Sequence, residues 1–136
     1  MYKTILVPID MAHIEKGKAM IDIAMAQGNK DTQTILLNVV EELPAWVASQ
    51  LPSGVLDESR QSSLEELKAI ADTANINVDV EVRAGHPYKT ILEVADKSGA
   101  ELIIVASHQP GLEDYFLGST AAKIVRHAKC SVLVVR

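Results

Sequence analysis

The sequence predicts a doubly wound, Rossmann-like α/β domain, with a five-stranded, mainly parallel sheet and four helices on its two faces. Three observations predict it. Five short apolar runs are rich in β-branched residues, amphipathic helical patterns lie between them, and the order β-α-β-α-β-α-β-α-β implies right-handed crossovers.

The first run, Thr4 to Ile9, is closed by Asp10, and the pattern returns at Thr34 to Val40, Val78 to Val82, Leu102 to Ala106 and Val132 to Val135. The second, fourth and fifth runs are continuously apolar, as expected of strands covered on both faces. Val78-Asp79-Val80-Glu81-Val82 alternates instead and reads as a half-exposed, weaker edge.

The first helical pattern, Ile14 to Ala26, spaces Ala19, Ile23 and Ala26, then Met20 and Ala24, at intervals of three and four before a Gly28-Asn29 stop. Asp57 to Ala74 carries Leu64, Leu67, Ile70, Ala71 and Ala74 on one stripe. Gly85-His86-Pro87 opens the third, with Pro87 suited to a first helical turn, and Ser98-Gly99 ends it. The fourth begins near Gly118-Ser119 and runs through Ala122, Ile124, Val125 and Ala128. Glu41 to Leu56 is too long for a simple connection. Its Leu43, Trp46, Val47 and Leu51 could fold over the sheet edge or meet a partner, and a packed surface loop is the simpler expectation. With no repeat or linker, residues 1–136 read as one domain.

Composition sets further bounds. The 136 residues are 48% hydrophobic and 4% aromatic, so the core is built from Ile, Leu, Val and Ala. Thirteen Lys and Arg against eighteen Asp and Glu give a charge of −5 with the basic residues dispersed, which disfavours nucleic acid as a partner. The single cysteine, Cys130, has no intramolecular partner, no Cys/His cluster has zinc spacing, and a reducing compartment fits best. Neither a secretory leader nor an apolar stretch of membrane-spanning length is present, so a cytoplasmic protein that does not enter the membrane is expected.

Open sheets of this kind bind ligands at the carboxyl ends of their strands, where strand order reverses, which directs attention to Ile9-Asp10, Asn38 to Val40 and Ala106 to Gln109. The segment from Ala106 leads into the last helix, whose free N–H groups and dipole suit a phosphate. Ser119 and Thr120 add hydroxyl donors and Gly118 allows close approach of backbone, although Ser119 serves equally as a helix N-cap.

Several of these pieces together resemble the universal stress protein family over the whole chain. They are Ile5-Leu6-Val7-Pro8-Ile9-Asp10, Leu36-Leu37-Asn38-Val39, Gly85-His86-Pro87, and Gly118-Ser119 through Arg126-His127-Ala128 to Val132-Leu133-Val134-Val135. Ser107-His108-Gln109-Pro110 and the terminal Arg136 are most similar to the F-type and G-type branch. Nucleotide-binding members hold ATP with Gly, two residues, Gly, nine residues, then Gly and Ser or Thr. Here Ala106 and Gln109 replace the first two glycines, eight residues separate Gln109 from Gly118, and only Gly118-Ser119 survives intact. The F-type branch shares this altered loop and is regarded as nucleotide-binding.

The resemblance implies ATP or another adenine nucleotide as ligand, with Mg²⁺ held through phosphates and water. It places Asp10 facing ribose and phosphates, Val39 presenting backbone to adenine, and Pro8 and Ile9 lining the base pocket. Ala106, Ser107, His108 and Gln109 fall in the loop under the phosphates, with Gly118, Ser119 and Thr120 as donors at the helix start. Taken alone, Asp10 reads as a turn residue or N-cap, and Pro8, Ile9 and Val39 as core or turn residues. No Walker pattern, no Lys after Gly118 and no evident base are present, so any hydrolysis should be slow. The resemblance also implies a homodimer through the uncharged last strand, Val132 to Val135, and a partner that reads the nucleotide state. Two alternatives stay open: a nucleotide-free dimeric interaction module, and a small ATP-dependent transferase or ligase.

Overall fold

The computed structural model describes residues 1–74, 77–107 and 118–136. Strands β1 (Thr4–Pro8), β2 (Gln33–Val40), β3 (Val78–Ala84), β4 (Leu102–Ala106) and β5 (Ser131–Val135) form one sheet in the order β3-β2-β1-β4-β5. Every pairing is parallel. The chain therefore builds outward from β1 to β3, then crosses back to lay β4 and β5 on the other side. Strand order reverses between β1 and β4.

Helices α1 (Gly17–Gln27) and α3 (Val55–Ala71) cover one face, and α4 (Pro87–Ser98) and α5 (Ser119–His127) the other; a one-turn helix, α2 (Ala45–Ala48), follows β2. Because side chains alternate along a strand, the central strands feed two separate cores. Ile5, Val7, Leu36 and Ile104 pack with Met20, Ile21 and Ala24 of α1 and Leu67 and Ala71 of α3. Leu6, Ile35, Leu37, Ile103 and Val105 pack with Ile91, Val94 and Ala95 of α4 and Ala121 and Ile124 of α5. This double burial is why β4 reads as an unbroken apolar run and β2 as one interrupted only by Asn38 after Thr34.

Several expectations need correction. The fifth run packs on both faces, Leu133 and Val135 against one core and Val132 and Val134 against the other, but as an edge strand it leaves Val132 to Val135 only half-buried. An apolar run does not reveal whether a neighbouring strand flanks its outer side. The first helix begins at Gly17 and not Ile14, because Met11–Lys16 wind as a tighter 3₁₀ segment interrupted at His13 (φ −129°, ψ 40°). The second long helix spans Val55–Ala71 instead of Asp57 to Ala74, entered through Gly54 at φ 89°. In the last helix Ile124 is fully buried, whereas Val125 is 47% exposed.

Gly28 does stop α1, though by room and not by handedness. Its backbone is extended, and an added Cβ would lie 2.5 Å from Thr32 Oγ1. That hydroxyl accepts from the Asn29 N–H (2.8 Å) and donates to the Tyr2 carbonyl (2.7 Å), tying the end of α1 to the start of β1. At α4 the expectations hold: Pro87 stands in the first turn, and Gly99, at φ 70°, ends the helix.

Candidate ligand site at the strand carboxyl ends

A cavity of about 460 Å³ opens at the point of strand reversal. Pro8, Ile9 and Asp10 enter it from the end of β1, Leu37, Asn38 and Val39 from β2, and Val105 and Ala106 from β4. Pro87 and Ile91 of α4 and residues 118–121 with Ile124 at α5 complete the wall, and Glu41 stands at the β2 side. The cavity thus has an apolar floor shared with the α4/α5 core and a polar lip at the start of α5.

The β1 end is held from both directions. Ile9 donates its N–H to the Leu37 carbonyl (2.8 Å) and accepts at its own carbonyl from the buried Asn38 side-chain amide (3.0 Å). With that carbonyl fixed toward β2, planarity of the peptide turns the Asp10 N–H the other way, toward the β1/β4 crevice. Asp10 itself is the N-cap of the 3₁₀ segment, its Oδ1 accepting from the Ala12 N–H at 2.9 Å. The capping role that its residue type suggested is realised, at the mouth of the cavity.

At α5 the N-cap is Gly118, not Ser119, which is the first helical residue. Glycine brings no capping oxygen, so the opening turn, with its aligned N–H groups, faces the lip without a side-chain cap. Ser107, which does not line the cavity, donates its N–H to the Val135 carbonyl (2.8 Å) and accepts from the Gly118 N–H at 3.4 Å through its hydroxyl. It clasps the two ends of the connection between β4 and α5.

The structure therefore brings Pro8, Ile9, Asp10, Val39, Ala106, Gly118, Ser119 and Thr120 to one cavity and sets Ser107 beside it. His108 and Gln109 lie outside the described residues. Leu37, Val105 and Ile124 fell within the strand and helix patterns and also form the cavity floor, together with Ile91 and Ala121, and Pro87 was read only as a helix starter. Nothing in an apolar run separates the two duties. Asn38 carried one available signal, an amide in the middle of an apolar strand.

Among the described residues no group of three or more His, Cys, Asp or Glu could hold a metal ion, and no helix is long and apolar enough to cross a membrane. Cys130 lies away from the cavity; burial pushes its thiol pKa up, a backbone hydrogen bond opposes this, and the Asp96 carboxylate adds to the rise.

Fold and cavity together define a small, all-parallel, doubly wound α/β protein with its ligand crevice at the strand switch point. The family model of the universal stress proteins matches residues 1–136, and the chain belongs to that family. Universal stress protein MJ0531 of Methanocaldococcus jannaschii is 33% identical over 144 residues, covering 100% of this chain and 83% of the relative. Universal stress protein G of Escherichia coli O157:H7 is 29% identical over 142 residues, covering both chains fully (100% of each). The solved structure of MJ0577 aligns at a TM-score of 0.77 with 25% identity, over 99% of this chain and 96% of that one. The same fold is shared with a universal stress protein in complex with cAMP (TM-score 0.70, 23% identity, 99% and 97% coverage). It is shared too with one from Archaeoglobus fulgidus in complex with dAMP (TM-score 0.72, 14% identity, 99% and 98% coverage).

Proposed function

We propose that this chain binds an adenine nucleotide, ATP among them, in the cavity between β1 and β4. The observation that carries this reading is one cavity joining an apolar floor of Leu37, Ile91, Val105 and Ile124 to a helix start whose cap is a bare glycine. A purine suits the first and a phosphate the second. The volume, about 460 Å³, is of the size that small-ligand sites require. Relatives solved with cAMP and dAMP support the ligand class. In this reading the Val39 backbone meets the base, Asp10 faces the ribose, and Ser119 and Thr120 meet phosphate, with Mg²⁺ held mainly by phosphates and water. Hydrolysis is slow or absent, and the bound nucleotide sets a state that a partner reads.

The proposal includes a homodimer through β5. The two sheet edges differ: β3 carries Asp79, Glu81 and Arg83, which discourage strand pairing, whereas Val132 to Val135 carry no charge. A second reading, a nucleotide-free dimer, draws on Asp10 being already engaged as a cap and on Ala106 standing where binding members have glycine.

Isothermal titration of the protein, freed of nucleotide by unfolding and refolding, separates the two. The expected result is one site per chain for Mg-ATP and AMP, with Mg-GTP much weaker. An absence of heat, with thermal stability unmoved by millimolar ATP, overturns the nucleotide reading and leaves the dimer module.

A further inference from the structure

Residues 41–58 form a surface that the nucleotide reading does not use. No residue of this segment is buried, and neither core includes any of them. Among the described residues seven large apolar side chains are exposed, and four of them, Leu43, Trp46, Val55 and Leu56, come from this one segment, with Trp46 68% exposed. A tryptophan so exposed is unusual, and apolar residues gathered in this way mark contact surfaces. The backbone is nevertheless ordered by its own bonds: Ala48 and Ser49 donate to Pro44 and Ala45 (3.0 Å each), Leu51 to Ala48 (3.2 Å) and Val55 to Pro52 (3.3 Å).

Along the chain the segment is acidic, and the nearest cations to it, Arg60 and Arg83, lie with Asp57 in the groove between α3 and β3. From residue 31 to residue 59 there are five carboxylates, Asp31, Glu41, Glu42, Asp57 and Glu58, and no Lys, Arg or His. Glu41 and Glu42 precede the apolar residues in the chain, Asp57 and Glu58 follow them, and all four are exposed. The sheet order sets the segment away from the edge where a second copy would pair: β2 is three strand spacings, about 14 Å, from β5. An anionic lipid surface would be repelled by the same carboxylates.

We infer that residues 41–58 dock a partner protein that presents an amphipathic helix, apolar on one face and bordered by Lys or Arg. Trp46 and Leu43 anchor the apolar face, and the four carboxylates set its orientation and exclude acidic partners. Because Glu41 also lines the nucleotide cavity, the docking surface adjoins the candidate site.

Trp46 is the sole tryptophan of the chain and reports on the surface directly. The full-length protein is titrated with an 18-residue helical peptide of Leu and Lys, and with its counterpart of Leu and Glu. The Leu/Lys peptide is expected to shift Trp46 emission to the blue with saturation, more weakly as salt rises, while the Leu/Glu peptide has no effect. The double variant Leu43→Ser, Leu56→Ser should keep the wild-type unfolding temperature and lose roughly tenfold or more in peptide affinity. Glu42→Lys with Glu58→Lys should lose affinity without touching the apolar residues. No blue shift, an equal response to the Leu/Glu peptide, or undiminished affinity in the serine variant overturns the inference. A blue shift that grows with protein concentration alone also overturns it, and makes a second copy of this chain the occupant.

Discussion

Replacing Asn38 by Leu should loosen the β1 turn while leaving the sheet in place. Leu matches Asn in branching and in number of side-chain heavy atoms, so the main loss is the donor that Asn38 presents to the Ile9 carbonyl at 3.0 Å, in a site where Asn38 is only 6% exposed. A buried acceptor stripped of its partner costs about 1 to 3 kcal/mol, here taken as about 2. Unfolding entropy of about 2.1 cal/mol/K per residue gives about 0.29 kcal/mol/K for this chain, so 2 kcal/mol lowers Tm by about 7 °C. Circular dichroism melts read this directly. Asn38→Asp adds a sharper test. A carboxylate facing that carbonyl repels it at neutral pH, and burial raises the pKa of the new carboxyl, so the deficit relative to wild type should shrink as pH falls and the protonated acid donates. A melt of Asn38→Leu within about 1 °C of wild type, with an Asn38→Asp deficit indifferent to pH, refutes the clamp.

Other substitutions probe the frame and the thiol. Thr34 is fully buried and its hydroxyl has no hydrogen-bond partner among the described residues, so Thr34→Val should raise stability by about 1 kcal/mol in a denaturant titration; a loss of that size would show the hydroxyl to be satisfied. Gly28→Ala should cost about 1 to 3 kcal/mol in the same assay, since the new methyl meets Thr32 Oγ1 at 2.5 Å, and a neutral result would mean that Thr32 moves aside freely. The pH–rate profile for alkylation of Cys130 should have its midpoint at higher pH in the folded protein than in urea, because burial favours the neutral thiol; coincident midpoints would contradict this.

What the sequence made readable was what depends on local chemistry. Pro87 and Gly99 announce both ends of α4 because fixed φ and a left-handed stop act within a few residues. The five apolar runs place every strand to within two residues. The Met11–Lys16 segment was not readable, because Ile14 to Lys16 merged into the helical pattern that follows and nothing marked the break at His13, and neither was α2, whose four residues are too few to show a period. For the site, Asp10, Val39 and Gly118 to Thr120 stand out at element ends, where ligands are met. The Asn38 clamp was hidden because its partner lies 29 residues away. The floor residues were hidden because burial against a helix and burial against a ligand select the same side chains.

The most direct test of the nucleotide proposal is where AMP acts on the backbone amides of the isotope-labelled protein. The proposal predicts saturable shifts at Val39, Ser119, Thr120 and Ala121, around the cavity, and none at Asn29, Lys30 or Thr32 at the opposite end of the sheet. Shifts confined to that opposite end, or none at millimolar AMP, would contradict it.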